Sequence, residues 1–129
     1  MMFEWKHYLE LTRFLQQEAG KADNPEAFLR TALSRAYYGA FCYARNYARD
    51  WLQFQPRYEG EDHGRLRDHL RKRRRRGTSD KLQRLREWRN ECDYHDELSF
   101  DARIILDTAA TDATYVFDSL PPPVPPALA

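Results

Sequence analysis

The chain has 129 residues, enough for one domain with a modest core. Charged residues make up 32% and aromatic residues 14%, too many large side chains for full-length disorder, and no run approaches the roughly 20 apolar residues of a membrane span. The formal net charge of +1 hides an asymmetry: residues 65–89 hold 12 Lys or Arg against 3 Asp or Glu, a net +9, while the rest holds 9 against 17, a net −8. The opening "MMFEWKHYLE" lacks the basic region and apolar run of a signal peptide. The chain therefore reads as cytoplasmic, with no membrane partner.

The apolar residues recur at helical spacing, and no alternating strand pattern or internal repeat is visible. Phe3, Tyr8, Leu11, Phe14 and Leu15 mark a first helix over about residues 3–19, ended by Gly20. "DNPEAF" starts a second: Asp23 or Asn24 can cap it, and Pro25 and Glu26 suit its first turn. Its stripe runs from Leu29 through Tyr37 and Phe41 to Trp51, and it ends near Gln53. Gly39 within it costs about 1 kcal/mol relative to alanine, which close helix packing would offset.

"QPRYEGEDHG" reads as a loop and residues 62–75 as a short, basic third helix. "GTSD" breaks the chain, with Thr78 or Ser79 capping a fourth helix that carries Leu82, Leu85, Trp88 and Cys92. Ser99 caps a fifth, lined by Ile105, Ala109, Ala113, Val116, Phe117 and Leu120. The tail "PPPVPPALA", residues 121–129, reads as disordered or as exposed polyproline II. The expected fold is all-α: an antiparallel four-helix bundle with an additional short basic helix in residues 1–120. Cys42 and Cys92 read as reduced, partly buried side chains, with a disulfide as the alternative. Neither has zinc-ligand spacing, so no metal and no cofactor is expected.

The chemistry gathers in the basic half. The run Arg71, Lys72, Arg73, Arg74, Arg75 and Arg76 is too dense to be neutralised locally and suits a polyanion; a solvated helix face is the bland alternative. "LREWRNECDYHD" places His95 six positions after Arg89, with Asn90 between. RNA carries its own nucleophile, so cleavage needs proton transfer and stabilisation of a doubly charged phosphorane. Histidine titrates near neutrality, and arginine offers a forked, permanently charged donor. On a straight helix, positions six apart lie about 240° around and roughly 9 Å along. Arg89 and His95 then converge only at a helix end or across two chains. The plain readings are an Arg89–Asp93 helix pair and a helix-terminal histidine.

"SRAYYGAFCYARNYA", the histidine of "EDHGRLRDHL", then "LREWRNECDYHD" and "FDARIILDTAATDATYVFDSL" occur in that order. Over about residues 3–120 this resembles the HEPN domain family, in particular its small single-domain members. The resemblance implies a helical bundle that forms a homodimer. It also implies a metal-independent endoribonuclease of toxin or antiviral type, with Arg89, Asn90 and His95 as its catalytic signature. Some relatives are paired with a nucleotidyltransferase antitoxin that modifies a tyrosine two places after the histidine; that place is Glu97 here. Others lack the histidine and are not known nucleases, so a non-catalytic module that binds a nucleotide or a nucleotidyltransferase stays open. His63 sits where relatives often have a histidine and is a candidate phosphate contact. Arg35 is expected to face the same cleft as Arg89, and both His63 and Arg35 join the basic run as candidate RNA-binding residues.

Overall fold

A computed structural model describes residues 2–123. They form five helices and no strand: α1 (His7–Ala19), α2 (Pro25–Trp51), α3 (Asp62–Lys72), α4 (Arg76–Tyr94) and α5 (Ala102–Ser119). Among the described residues no helix is long and apolar enough to cross a membrane. At 1.5 Å per residue the 27 residues of α2 span roughly 40 Å. This helix is the spine, with α1, α4 and α5 packed along it; α3 leans on α4 and touches α2. Leu33, Leu66, Leu82, Leu85, Leu106 and Leu120 are fully buried, and each such leucine contributes about 2–3 kcal/mol. Cys42 and Cys92 are both free and buried.

The helix positions follow the hydrophobic periodicity, but several of their ends do not follow the expected residues. Pro25 does open α2. The break before α4 is not made by "GTSD". It falls at Arg73–Arg75, where Arg74 takes φ 63° and the Arg75 N–H donates to the Leu70 carbonyl at 2.8 Å, closing α3 in a left-handed turn. Thr78 and Ser79 are therefore inside α4 and cap nothing. Thr78 shares a hydroxyl bond with Ser119 at 2.7 Å, and Ser79 donates to the Arg67 carbonyl at 3.0 Å. Ser99 is not the cap of α5 either; Asp101 is, accepting from the Arg103 N–H. Ser99 instead gives its N–H and hydroxyl to Glu91, each at 2.9 Å. At the far end Tyr43 and Tyr47 donate to the carbonyls of Leu120 and Pro121, holding the end of α5 to α2. Residues 121–123 are exposed and non-helical; the rest of the expected Pro-rich tail lies outside the described residues.

The stripe expected on α1 is rotated. Phe3, Leu11 and Phe14 are exposed, while Leu9, Thr12 and Ala19 are buried. The reason is a polar dock: the Thr12 hydroxyl lies 2.9 Å from the carbonyl of Tyr8 and 2.8 Å from that of Ala32 on α2. Gly39 fixes how close this face comes. A Cβ there would lie 2.9 Å from Tyr8 Cβ and 3.0 Å from the Trp5 carbonyl oxygen, neither of which can swing aside. Gly39→Ala should therefore destabilise the fold by about 1–3 kcal/mol, against the usual gain of about 1 kcal/mol inside a helix. Gly77→Ala is the contrast, because its obstruction is only the hydroxyl end of the Tyr115 side chain. Thermal melts should show a lowered Tm for the first and no comparable loss for the second.

Candidate nucleic-acid interface

Arg89 projects from α4 into the core, where it is 5% exposed. Adjacent tyrosines of α2 receive it: its guanidinium carbon lies 5.3 Å from the Tyr37 ring centre and 5.0 Å from that of Tyr38. Tyr38 also carries Arg35, at 5.1 Å, so Arg35 and Arg89 share one ring. A polar chain closes the circuit. Arg89 lies 3.7 Å from the Asp93 carboxylate, Ser34 donates to Asp93 at 3.2 Å, and Arg35 donates to the Ser34 hydroxyl at 3.4 Å. Asp93 is thus a distant and shared counter-ion.

On the other side of Tyr37 stands His63, from the first turn of α3. Its ring stacks on Phe41 at 4.1 Å and on Tyr37 at 5.6 Å, and its Nδ1 is hydrogen-bonded to the Tyr37 hydroxyl. Arg67 donates to the His63 carbonyl at 3.1 Å. Burial, then the charges of Arg86, Arg89 and Arg67, hold the imidazole down to about 4 against an ordinary 6.5; Asp62 opposes them weakly. Burial likewise pushes the Tyr37 phenol well above its usual range. At neutral pH the pair is an uncharged phenol and an uncharged imidazole, ringed by three guanidinium groups. Among the described residues, two buried side-chain polar atoms lack a hydrogen-bond partner: Nε of Arg86 and Nε of Arg89. Both belong to this cluster. Buried donors are nearly always paired, and cations crowded together repel one another. The cluster therefore carries more positive charge than the single Asp93 carboxylate balances, which favours an anion nearby; the two Nε atoms themselves are closed off from solvent.

The other expected site residues are spread more widely. Asn90 is half-buried, one position around α4 from Arg89. His95 is the residue at which α4 ends, in extended backbone. Its side chain is 58% exposed and lies 3.9 Å from Glu91, a residue about 200° around the helix from Arg89. The helix does end where convergence requires it, yet within one chain it does not bring Arg89 and His95 together. Arg30 holds the His95 backbone, donating to the carbonyls of Cys92, His95 and Asp96 at 3.1, 2.5 and 3.0 Å.

In the basic run, Arg71 pairs with Asp68 and Gln83, and Arg75 turns back to the Arg73 carbonyl. Lys72, Arg73, Arg74 and Arg76 are exposed and make no ion pair among the described residues. They form a cationic corner between α3 and α4. No group of three His, Cys, Asp or Glu among the described residues is placed to hold a metal ion. Arg67, Arg86 and Arg30 were not singled out from the sequence. Arg86 had a signal, since it lies three positions before Arg89 and so on the same helix face.

The His63 titration gives a stability test. Its folded value lies below the unfolded one, so between about pH 6.5 and 4 the unfolded chain binds more protons and stability falls as pH falls. His63→Gln removes this contribution, so the drop in Tm between pH 7 and pH 4.5 should be smaller in the variant than in the wild-type chain.

Compared with known proteins, the chain matches no family model, no curated protein and no solved structure.

Proposed function

We propose that this chain is a metal-independent endoribonuclease of the HEPN kind, acting as a homodimer of toxin or antiviral-effector type. In this reading α1, α2, α4 and α5 are the antiparallel bundle and α3 is the accessory basic helix. The single observation that carries it is the crowding of guanidinium groups around the Tyr37–His63 pair. A scissile phosphate balances the positive charge gathered there. Arg89 holds the phosphate oxygens, and its fixed charge stabilises the phosphorane. The 2′-hydroxyl attacks phosphorus, the bond to the 5′-oxygen breaks, and a 2′,3′-cyclic phosphate and a 5′-hydroxyl result. His95 of a second chain is positioned at the dimer cleft to move the proton, because its own Arg89 lies on another face. Asn90 orients the phosphate. The cationic corner Lys72–Arg76 tracks the RNA backbone.

A second reading is favoured by one observation: the exposed His95 ring is turned toward Glu91. The chain is then a non-catalytic module in which the arginine cluster binds the phosphate of a nucleotide or docks a nucleotidyltransferase.

Total RNA incubated with the purified chain in chelator separates the two. Under the nuclease reading, His95→Ala abolishes cleavage while RNA binding survives, because the histidine acts in the transition state. Arg89→Lys cuts activity by about a hundredfold or more, since lysine keeps the charge but loses the fork, and Asn90→Ala is milder. Circular dichroism melts must match wild type for each variant. RNA binding without cleavage, with or without magnesium, establishes the binding module instead. Replacing Arg73, Arg74, Arg75 and Arg76 with Ser should weaken RNA binding and flatten its salt dependence, leaving the cut position unchanged; unchanged affinity means that the corner does not touch RNA.

A further inference from the structure

The loop between α2 and α3 presents an aromatic cleft directly beside the arginine cluster. Its volume is about 280 Å³, and its walls include Tyr38, Phe41, Arg45, Tyr58 and His63. Two of these belong to both regions. Tyr38 carries Arg89 and Arg35 against its ring, and the imidazole of His63 is ringed by the cationic cluster. Arg45 lies 5.1 Å from the Tyr58 ring centre and 6.0 Å from that of Phe41, so a planar cation spans the two aromatic walls.

Tyr58 is held in place at some cost. It is 63% exposed and takes φ 58°, a left-handed conformation that a bulky residue rarely adopts. Asp62, 1% exposed, enforces it by accepting the N–H of Arg57 at 3.0 Å and of Tyr58 at 2.7 Å, and the Arg65 guanidinium at 2.6 Å. A buried carboxylate thus fixes the backbone of an aromatic side chain that itself faces solvent. Backbone strain that the surroundings over-determine in this way gathers where a side chain must be aimed.

We propose that this cleft seats one unstacked base of the nucleic-acid strand whose phosphate lies on Arg89, with Tyr58 and Arg45 as the stacking surfaces. The proposal rests on the reading of the arginine cluster as a phosphate site, but not on cleavage. Glu59 and Asp62 also line the cleft, which disfavours a phosphate there and suits the neutral, π-faced part of a nucleotide. Aromatic rings and arginine planes are the usual stacking partners of splayed bases, and such stacking tolerates sequence changes.

The test uses the full chain and a 2′-O-methyl hexaribonucleotide carrying one 2-aminopurine. The methyl group removes the nucleophile, so binding is read without cleavage. Wild type should quench the fluorophore on binding. Tyr58→Ala should abolish the quenching and weaken affinity about tenfold or more, Tyr58→Phe should retain both, and Arg45→Gln should reduce both. A strand abasic at that position should bind wild type and Tyr58→Ala alike. Tyr58 is exposed, so its removal leaves the core intact, and a melt confirms that. If Tyr58→Ala quenches and binds like wild type, the base does not sit in this cleft. If wild type does not bind the strand at all, the cleft and the phosphate reading fall together. If it binds and quenches yet never cuts RNA, the cleft stands and only the nuclease reading is lost.

Discussion

The constraint on which this structure turns is the burial of a guanidinium group. Removing Arg89 from water costs several kcal/mol after relaxation. The two tyrosine faces return about 2 kcal/mol each. Asp93, at 3.7 Å and shared with Ser34, is beyond hydrogen-bond reach but attracts the guanidinium through space. The register of α4 on α2 is therefore dictated by more than leucine packing, because Arg89 must arrive over Tyr37 and Tyr38 together. Leu82, Leu85 and Cys92 then fall into the core on the same face. The phenol of Tyr37, locked under Arg89, in turn fixes His63 and so the start of α3.

This arrangement divides labour between neighbouring surfaces. Behind Tyr38 and His63 the surroundings are cationic, with Asp93 as a shared and distant counter-ion of Arg89. In front, the α2–α3 loop offers rings, one arginine and two carboxylates, of which Asp62 is already used by the backbone. The cationic cluster and the aromatic cleft thus share the rings of Tyr38 and His63. The exposed corner at Lys72–Arg76 adds charge without shape, which suits contact with a flexible backbone better than selection among bases.

The helices themselves were legible in the sequence, because periodicity over many residues averages out local noise; Pro25 marked the start of α2 correctly for a simple steric reason. Caps were less legible. Thr78, Ser79 and Ser99 have the right side chains for a cap, but each found a partner on another helix or loop. The real break hangs on Arg74, which reaches the left-handed region with a side chain that gives no hint of it. On α1 the exposed aromatics misled, since hydrophobicity does not say which face a hydrogen-bonded threonine will dock. At the site, Arg89, Arg35 and His63 were all visible as candidates, and they do share one cluster. The relation of Arg89 to His95 was not, because it depends on how the last turn of α4 unwinds. Nor was Asp62, whose importance lies in three donors that only the folded loop brings to it.

Arg30 has a consequence for association. A helix end normally leaves its last carbonyls to water; here one guanidinium takes the Cys92 carbonyl in the last turn of α4 and the carbonyls of His95 and Asp96 just beyond it. The backbone under that ring is thereby ordered before anything touches it. Ordering a loop on binding subtracts from affinity, and so does freezing each rotamer-rich side chain. At His95 the first of these losses has already been incurred during folding, and only two side-chain torsions are left to freeze. Whatever surface meets this imidazole meets a preorganised donor on a fixed mount, so the entropic penalty of docking there is small.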